Sequence, residues 1–148
     1  MLEKELPFLF KVASASAERS HAVRSKVGAV IVDSFGRIIS TGYNGTHNGA
    51  DNCCEEVVVL SADKTELKTL DTVIHAEENA MLHAAKRGLP LEHAIMITTL
   101  SPCIKCCSRM IQAGIRQAIF KEEYRLHNEV LDKMGKFIYF QHYKETSV

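Results

Sequence analysis

Two short clusters in the sequence combine residue types that hold a metal ion with one that moves protons: His75-Ala76-Glu77 and Pro102-Cys103-Ile104-Lys105-Cys106. His75, Cys103 and Cys106 offer one imidazole and two thiols, a donor set suited to zinc. Cysteines three apart on a helix project from one face, so Cys103 and Cys106 can reach the same ion. Pro102 suits a helix start, which would place both thiols near the positive end of a helix dipole and favour the thiolates that zinc requires. Three protein ligands leave a fourth position open, the arrangement of a catalytic rather than a structural zinc. Water bound there would have its pKa lowered from ~15.7 toward ~7, which supplies a nucleophile at neutral pH. Glu77, two residues past His75 and turned toward the water side of the metal, is the candidate general acid and base. Taken alone, the C-x-x-C pair also reads as a redox dithiol or as half of a structural zinc site. The H-x-E upstream, on the preceding predicted helix, weighs against both.

These residues need a scaffold, and the chain offers an alternating one. Leu6, Leu9, Phe10 and Ala13 recur at helical spacing between Glu3 and Glu18, with Pro7 confined to the first turn. Val27 to Asp33 is rich in β-branched residues, Ser34-Phe35-Gly36 has turn chemistry, and Arg37 to Tyr43 is extended again, which predicts a hairpin. Asn44 to Asp51 reads as a loop, and the polar stretch from Ser61 to Asp71 as a variable insertion outside the core. Beyond it come a helix from His75 stopped by Gly88, a strand AIMITT, a helix closing at Gly114, a strand RQAIF, a helix over Leu126 to Lys133 and a last strand KFIYF. A hairpin followed by this alternation predicts an α/β fold, a sheet with helices on both faces.

Size and composition narrow the field. A chain of 148 residues, 46% hydrophobic, suits one domain spanning 1–148. VGAVIV and VVVL, its longest apolar runs, are far below the ~20 residues that cross a bilayer, so no membrane partner is expected. Glu3, Lys4 and Glu5 break up the order of a secretory signal, and the cytoplasm is the expected compartment. Five cysteines are an odd set, which favours metal binding or free thiols over a disulfide framework. With 18 basic and 18 acidic residues the chain lacks the basic footprint of a polymer-binding protein, and a small substrate is favoured over nucleic acid.

H-x-E followed by P-C-x-x-C is the signature of zinc-dependent nucleobase deaminases. VGAVIV, ISTGYNGT, HAEENA, TLSPCIKC, MIQAGI and EYR, in that order over most of Val27 to Arg125, resemble the cytidine deaminase superfamily and, more narrowly, the deoxycytidylate deaminases of phage and viral type. The resemblance implies a three-layer α/β/α cytidine-deaminase-like fold with a five-stranded mixed sheet, and hydrolysis of dCMP to dUMP and ammonia for thymidylate synthesis. It also implies a homo-oligomer, a hexamer favoured, activated by dCTP and inhibited by dTTP, in the host cytoplasm if viral. Carried over residue by residue, His75, Cys103 and Cys106 are zinc ligands and Glu77 the general acid and base. Asn44 resembles a sugar-contacting asparagine, with a turn residue as its other reading. Ala76 and Ser101 would turn main-chain groups toward the cytosine ring, and Tyr124 would stand near the nucleotide. Arg24, Lys26 and Arg125 are phosphate candidates. Cys53 and Cys54 resemble a pair that helps hold a second, structural zinc in some phage enzymes, with His21 as the replacement for a missing cysteine. Cys107 is expected to be a buried hydrophobe, and His83, His93, His127 and His142 ordinary surface or half-buried residues. Readings left open are a dCTP or modified-cytosine substrate, a polynucleotide or tRNA deaminase, and a non-catalytic zinc-stabilised binding module.

Overall fold

The computed structural model describes residues 2–146, so Met1, Ser147 and Val148 of the expected 1–148 domain lie outside the described residues. The chain runs α1 (Leu2–Ala17), β1 (Gly28–Val32), β2 (Ile38–Tyr43), β3 (Glu55–Ser61), β4 (Lys64–Thr69) and α2 (Ala76–Lys86). It continues with β5 (Ile95–Leu100), α3 (Ile104–Ala113), β6 (Gln117–Glu122), α4 (His127–Met134) and β7 (Tyr139–His142). Five strands form one mixed sheet in the order β2-β1-β5-β6-β7, antiparallel from β2 to β5 and parallel from β5 to β7. This is the expected α/β architecture.

Strand alternation divides the core into two layers. Val30, Val32, Ile95, Ile97 and Ile119 turn to one face and meet Leu6, Leu9, Phe10 and Ala13 of α1. Ala29, Ile31, Met96 and Ala118 turn to the other and meet Ala76 and Ala80 of α2 with Cys106 and Met110 of α3. Cys107 is fully buried as expected. Gly42 sets how near α2 comes to the sheet, because a Cβ on it would collide with the backbone of Ala76 and Ala80. α3 ends on Gly114 in the left-handed conformation (φ 100°), where its N–H caps the helix by bonding Ile111 O.

Three expectations are corrected. The stretch read as a variable insertion forms much of a second, two-stranded sheet, β3 paired antiparallel with β4. Its polar composition is that of a hairpin standing off the core, where even Val57 and Val59 are exposed. KFIYF is mostly not strand: the N–H groups of Phe137 and Ile138 bond back to Met134 O at the exit of α4, and sheet pairing starts at Tyr139. His127 is buried, its ring edge-on to Phe120 and Phe140.

His127 Nδ1 has no hydrogen-bond partner there. Burial holds this imidazole below its ordinary value of 6.5, with His142 acting in the same direction and Glu123 opposing. The unfolded chain therefore binds the proton first, and stability falls as pH drops through and below the ordinary imidazole range. Replacing the ring by His127→Phe removes an unpaired nitrogen, a gain of about 1–2 kcal/mol or about 2–6 °C in melting temperature. Thermal melts from about pH 7.5 to about pH 5.5 are expected to show a shallower acid decline in the variant; parallel declines would clear His127 of any role in acid sensitivity.

Candidate active site

The two chemistry-bearing clusters lie at the starts of neighbouring helices. His75 is the residue before α2, in extended conformation (φ −68°, ψ 157°), and Cys103 holds the same place before α3 (φ −77°, ψ 170°). Neither side chain caps its own helix, so both are free to point at a common centre. Cys106, in the first turn of α3, is fully buried and completes the set. Asn79 Nδ2 donates to Tyr43 O at 2.7 Å, and Gly45 and Ile74 exchange backbone hydrogen bonds, which ties the approach to α2 against the end of β2.

His75 Nδ1 lies 3.5 Å from Cys103 Sγ and 3.4 Å from Cys106 Sγ. Tetrahedral ligands at ordinary zinc–nitrogen and zinc–sulfur lengths would be separated by about 3.5–3.6 Å. The donor set therefore fits zinc in both element type and spacing. Among the described residues this is the one group of at least three His, Cys, Asp or Glu whose ligand atoms converge.

The protons of this cluster are unevenly held. Cys103 is drawn down to about 4, chiefly by its hydrogen bond with Cys106 and then by His75, against the opposing effect of burial. Cys106 is pushed up by its hydrogen bond with Cys103 and by burial. His75 is raised first by its hydrogen bond with Cys103. Glu77 is 4% exposed, and desolvation raises its carboxyl above its ordinary value, opposed by Cys106 and His75. Glu78, its neighbour, accepts from Cys106 Sγ at 3.8 Å and faces Arg109 Nε at 3.7 Å, an outer arrangement the sequence did not suggest.

A cavity of about 310 Å³ opens over His75, Glu77 and Cys103. Asn44, Ala76, Ser101 and Tyr124 line its walls, and the exposed Arg24 and Arg125 line it as well. Asn44 is also a structural clamp: its Oδ1 accepts from Val27 N–H at 2.8 Å and its Nδ2 donates to Ser25 O at 2.8 Å. Ser101 spends its N–H on Glu122 O at 2.8 Å and accepts the Tyr124 N–H on its hydroxyl at 2.7 Å. Its carbonyl is the main-chain group left to face a base.

Two sequence expectations do not come together. Lys26 sits between Ser25 and Val27, which line the cavity, but itself lines a separate depression beside Lys121. His21, Cys53 and Cys54 form no converging ligand set. The two cysteines part company: Cys53 is exposed, with Sγ on Glu55 O, while Cys54 is buried with Ala22 and Val73 and raised by that burial. Sequence reasoning also missed Glu55 and Thr69, which line the cavity from the hairpin. Glu55 to Ser61 and Lys64 to Thr69, read as two strands paired about the short turn between them, would have brought these two residues side by side.

Residues 4–122 match the family described as the cytidine and deoxycytidylate deaminase zinc-binding region. The chain is 40% identical over 122 residues to ComE operon protein 2 of Bacillus subtilis, covering 80% of this chain and 61% of that one. To the deoxycytidylate deaminase of Enterobacteria phage T4 it is 32% identical over 149 residues, covering 78% of this chain and 77% of the phage protein. The first of these relatives is thus spanned over about three fifths of its length. Among solved structures, the dCMP deaminase of cyanophage S-TIM5, crystallised with dCMP and dUMP, superposes with a TM-score of 0.79 at 30% identity, covering 97% of this chain and 98% of that one. With its zinc-type donor set at the starts of α2 and α3 and a family match that takes in both, this chain belongs to the cytidine and deoxycytidylate deaminase zinc-binding family.

Proposed function

We propose that residues 1–148 act as a single domain that hydrolyses dCMP to dUMP and ammonia, supplying dUMP for thymidylate synthesis. The observation that carries this reading is one cavity lined by a buried carboxyl, by His75 and Cys103 of a zinc-type ligand set, and by two arginines. It is supported by likeness to phage dCMP deaminases, one of them crystallised with dCMP and dUMP.

His75, Cys103 and Cys106 would hold the zinc. When bound, the metal activates water for attack at the ring carbon that bears the amino group. Glu77, sealed from solvent and raised by desolvation, is placed to carry one proton of that water to the ring nitrogen and the second to the amino group, whose bond to the ring carbon breaks as ammonia leaves and the carbonyl forms. Atoms balance: water and dCMP give dUMP and ammonia. Asn44 offers the sugar the amide N–H not spent on Ser25, Ala76 and Ser101 turn main-chain groups to the base, and Tyr124 closes the wall. Arg24 and Arg125 neutralise the phosphate, Arg24 by a bidentate contact. The reading leaves Lys26 aside, since it lines a separate depression. The reading extends to a homo-oligomer, hexameric by resemblance, activated by dCTP, inhibited by dTTP, and working in the cytoplasm, that of the host if the gene is viral. Among the described residues no helix is long and apolar enough to cross a membrane.

A Glu77→Gln variant is expected to keep its zinc and lose about 10²–10⁴-fold in turnover of dCMP, measured as ammonia release beside metal analysis. Unchanged turnover would remove Glu77 from the mechanism. Cys103→Ser should instead lower zinc content and activity together. Dialysis against a chelator should abolish wild-type activity, and added zinc should restore it; full activity in the metal-free protein would sink the metal role. Saturation by dCMP is expected to be sigmoidal and to become hyperbolic with dCTP present, whereas a hyperbolic curve throughout would strike out the allosteric extension.

A further inference from the structure

The β3–β4 hairpin touches the cavity only through its first and last residues. Glu55 and Thr69 are cross-strand partners at the open end of the hairpin, so their side chains lie on one face, next to each other. Both line the cavity that holds Glu77, and both reach Arg24. Glu55 Oε1 accepts the N–H groups of Val23 at 2.8 Å and Arg24 at 3.2 Å, fixing the backbone that carries the arginine. Arg24 Nη1 donates to Thr69 Oγ1 at 3.1 Å, fixing the guanidinium at the other end of the side chain.

This end of the hairpin is anchored even though its arm stands in solvent. Leu70 N–H bonds to Cys54 O at 2.8 Å just outside the Glu55–Thr69 pair. Ala22, Cys54 and Val73 form a small buried cluster with Leu70 packed against it. The cluster joins the segment leading to Arg24 directly to the hairpin base. An exposed arginine otherwise samples many rotamers, and holding it before the ligand arrives reduces the ordering cost of binding. A guanidinium has five donors, and one spent on Thr69 leaves the others for an anion.

We infer that Glu55 and Thr69 are positioning residues for a phosphate monoester: together they hold Arg24 toward the cavity, so the hairpin is the scaffold of the phosphate subsite. The inference rests on the dCMP reading above and deepens it. It assigns a task to a stretch whose composition resembles a dispensable insertion.

The test compares zinc-loaded wild type with Thr69→Val, Thr69→Ser, Arg24→Ala and the Arg24→Ala/Thr69→Val pair, on dCMP and on deoxycytidine. Thr69→Val is expected to raise KM for dCMP about five- to tenfold with kcat within about twofold, because one hydrogen bond that orders the arginine is lost. Deoxycytidine, which lacks the phosphate, should be turned over as by wild type. Thr69→Ser keeps the hydroxyl and should restore the wild-type KM. Arg24→Ala should raise KM further, and the double variant should be no worse than Arg24→Ala alone, since Thr69 acts through Arg24. Additive losses, an equal loss on deoxycytidine, or an unchanged KM in Thr69→Val would each overturn the inference. If Arg24→Ala erodes the preference for dCMP while Thr69→Val does not, the substrate reading stands and the hairpin's role falls. A wild type that turns over deoxycytidine as well as dCMP removes the monophosphate reading itself, and the inference with it.

Discussion

Everything in the proposed active site depends on bringing one imidazole nitrogen within 3.5 Å of each of two sulfurs that come from a different helix. Helix starts suit this task. The residue just before the first turn has extended geometry, so its side chain leaves the helix axis and is not committed to the helix surface. His75 and Cys103 both use that position, and Cys106 follows one turn along α3. The N–H groups of the first turns add partial positive charge, which favours thiolates there. The sheet order places α2 and α3 against the same face, and Gly42 lets α2 settle on β2 closely enough for the two starts to meet.

Much of this was legible from the residues. The spacings of His75, Glu77, Cys103 and Cys106 carry the chemistry directly, because ligand type and interval are local properties of the chain. The two-faced sheet was equally readable: strands buried on both sides are nearly continuous apolar runs, as in GAVIV and IMIT. Signals failed where the deciding contact was distant. Lys26 and Arg24 are alike in type and only two apart, and nothing in composition says that one faces the cavity and the other a separate depression. His21 stands more than thirty residues before Cys53, and adjacency of the two cysteines was misleading because one is exposed and the other buried.

The hairpin shows why composition and importance separate. Its strands are mostly exposed, so no apolar periodicity marks them, yet their shared end closes part of the cavity wall. A polar stretch is free to vary along its arm while its two terminal residues answer to the site. Periodicity reports burial, and a residue that works by a hydrogen bond at a cavity edge leaves little trace in it.

Placing His75 and Glu77 on the same turn has a further consequence for how the protein tolerates damage. A strain that tilts α2 as a rigid body carries the ligand and the carboxylate along together, leaving their mutual spacing intact while pulling both away from the sulfurs on α3. The vulnerable joint is therefore the seam between the two helices. Small packing errors beneath α2 would register as loosened ion retention well before the carboxylate lost its alignment with the histidine. Occupancy of the centre thus doubles as a sensitive gauge of whether α2 and α3 have docked correctly.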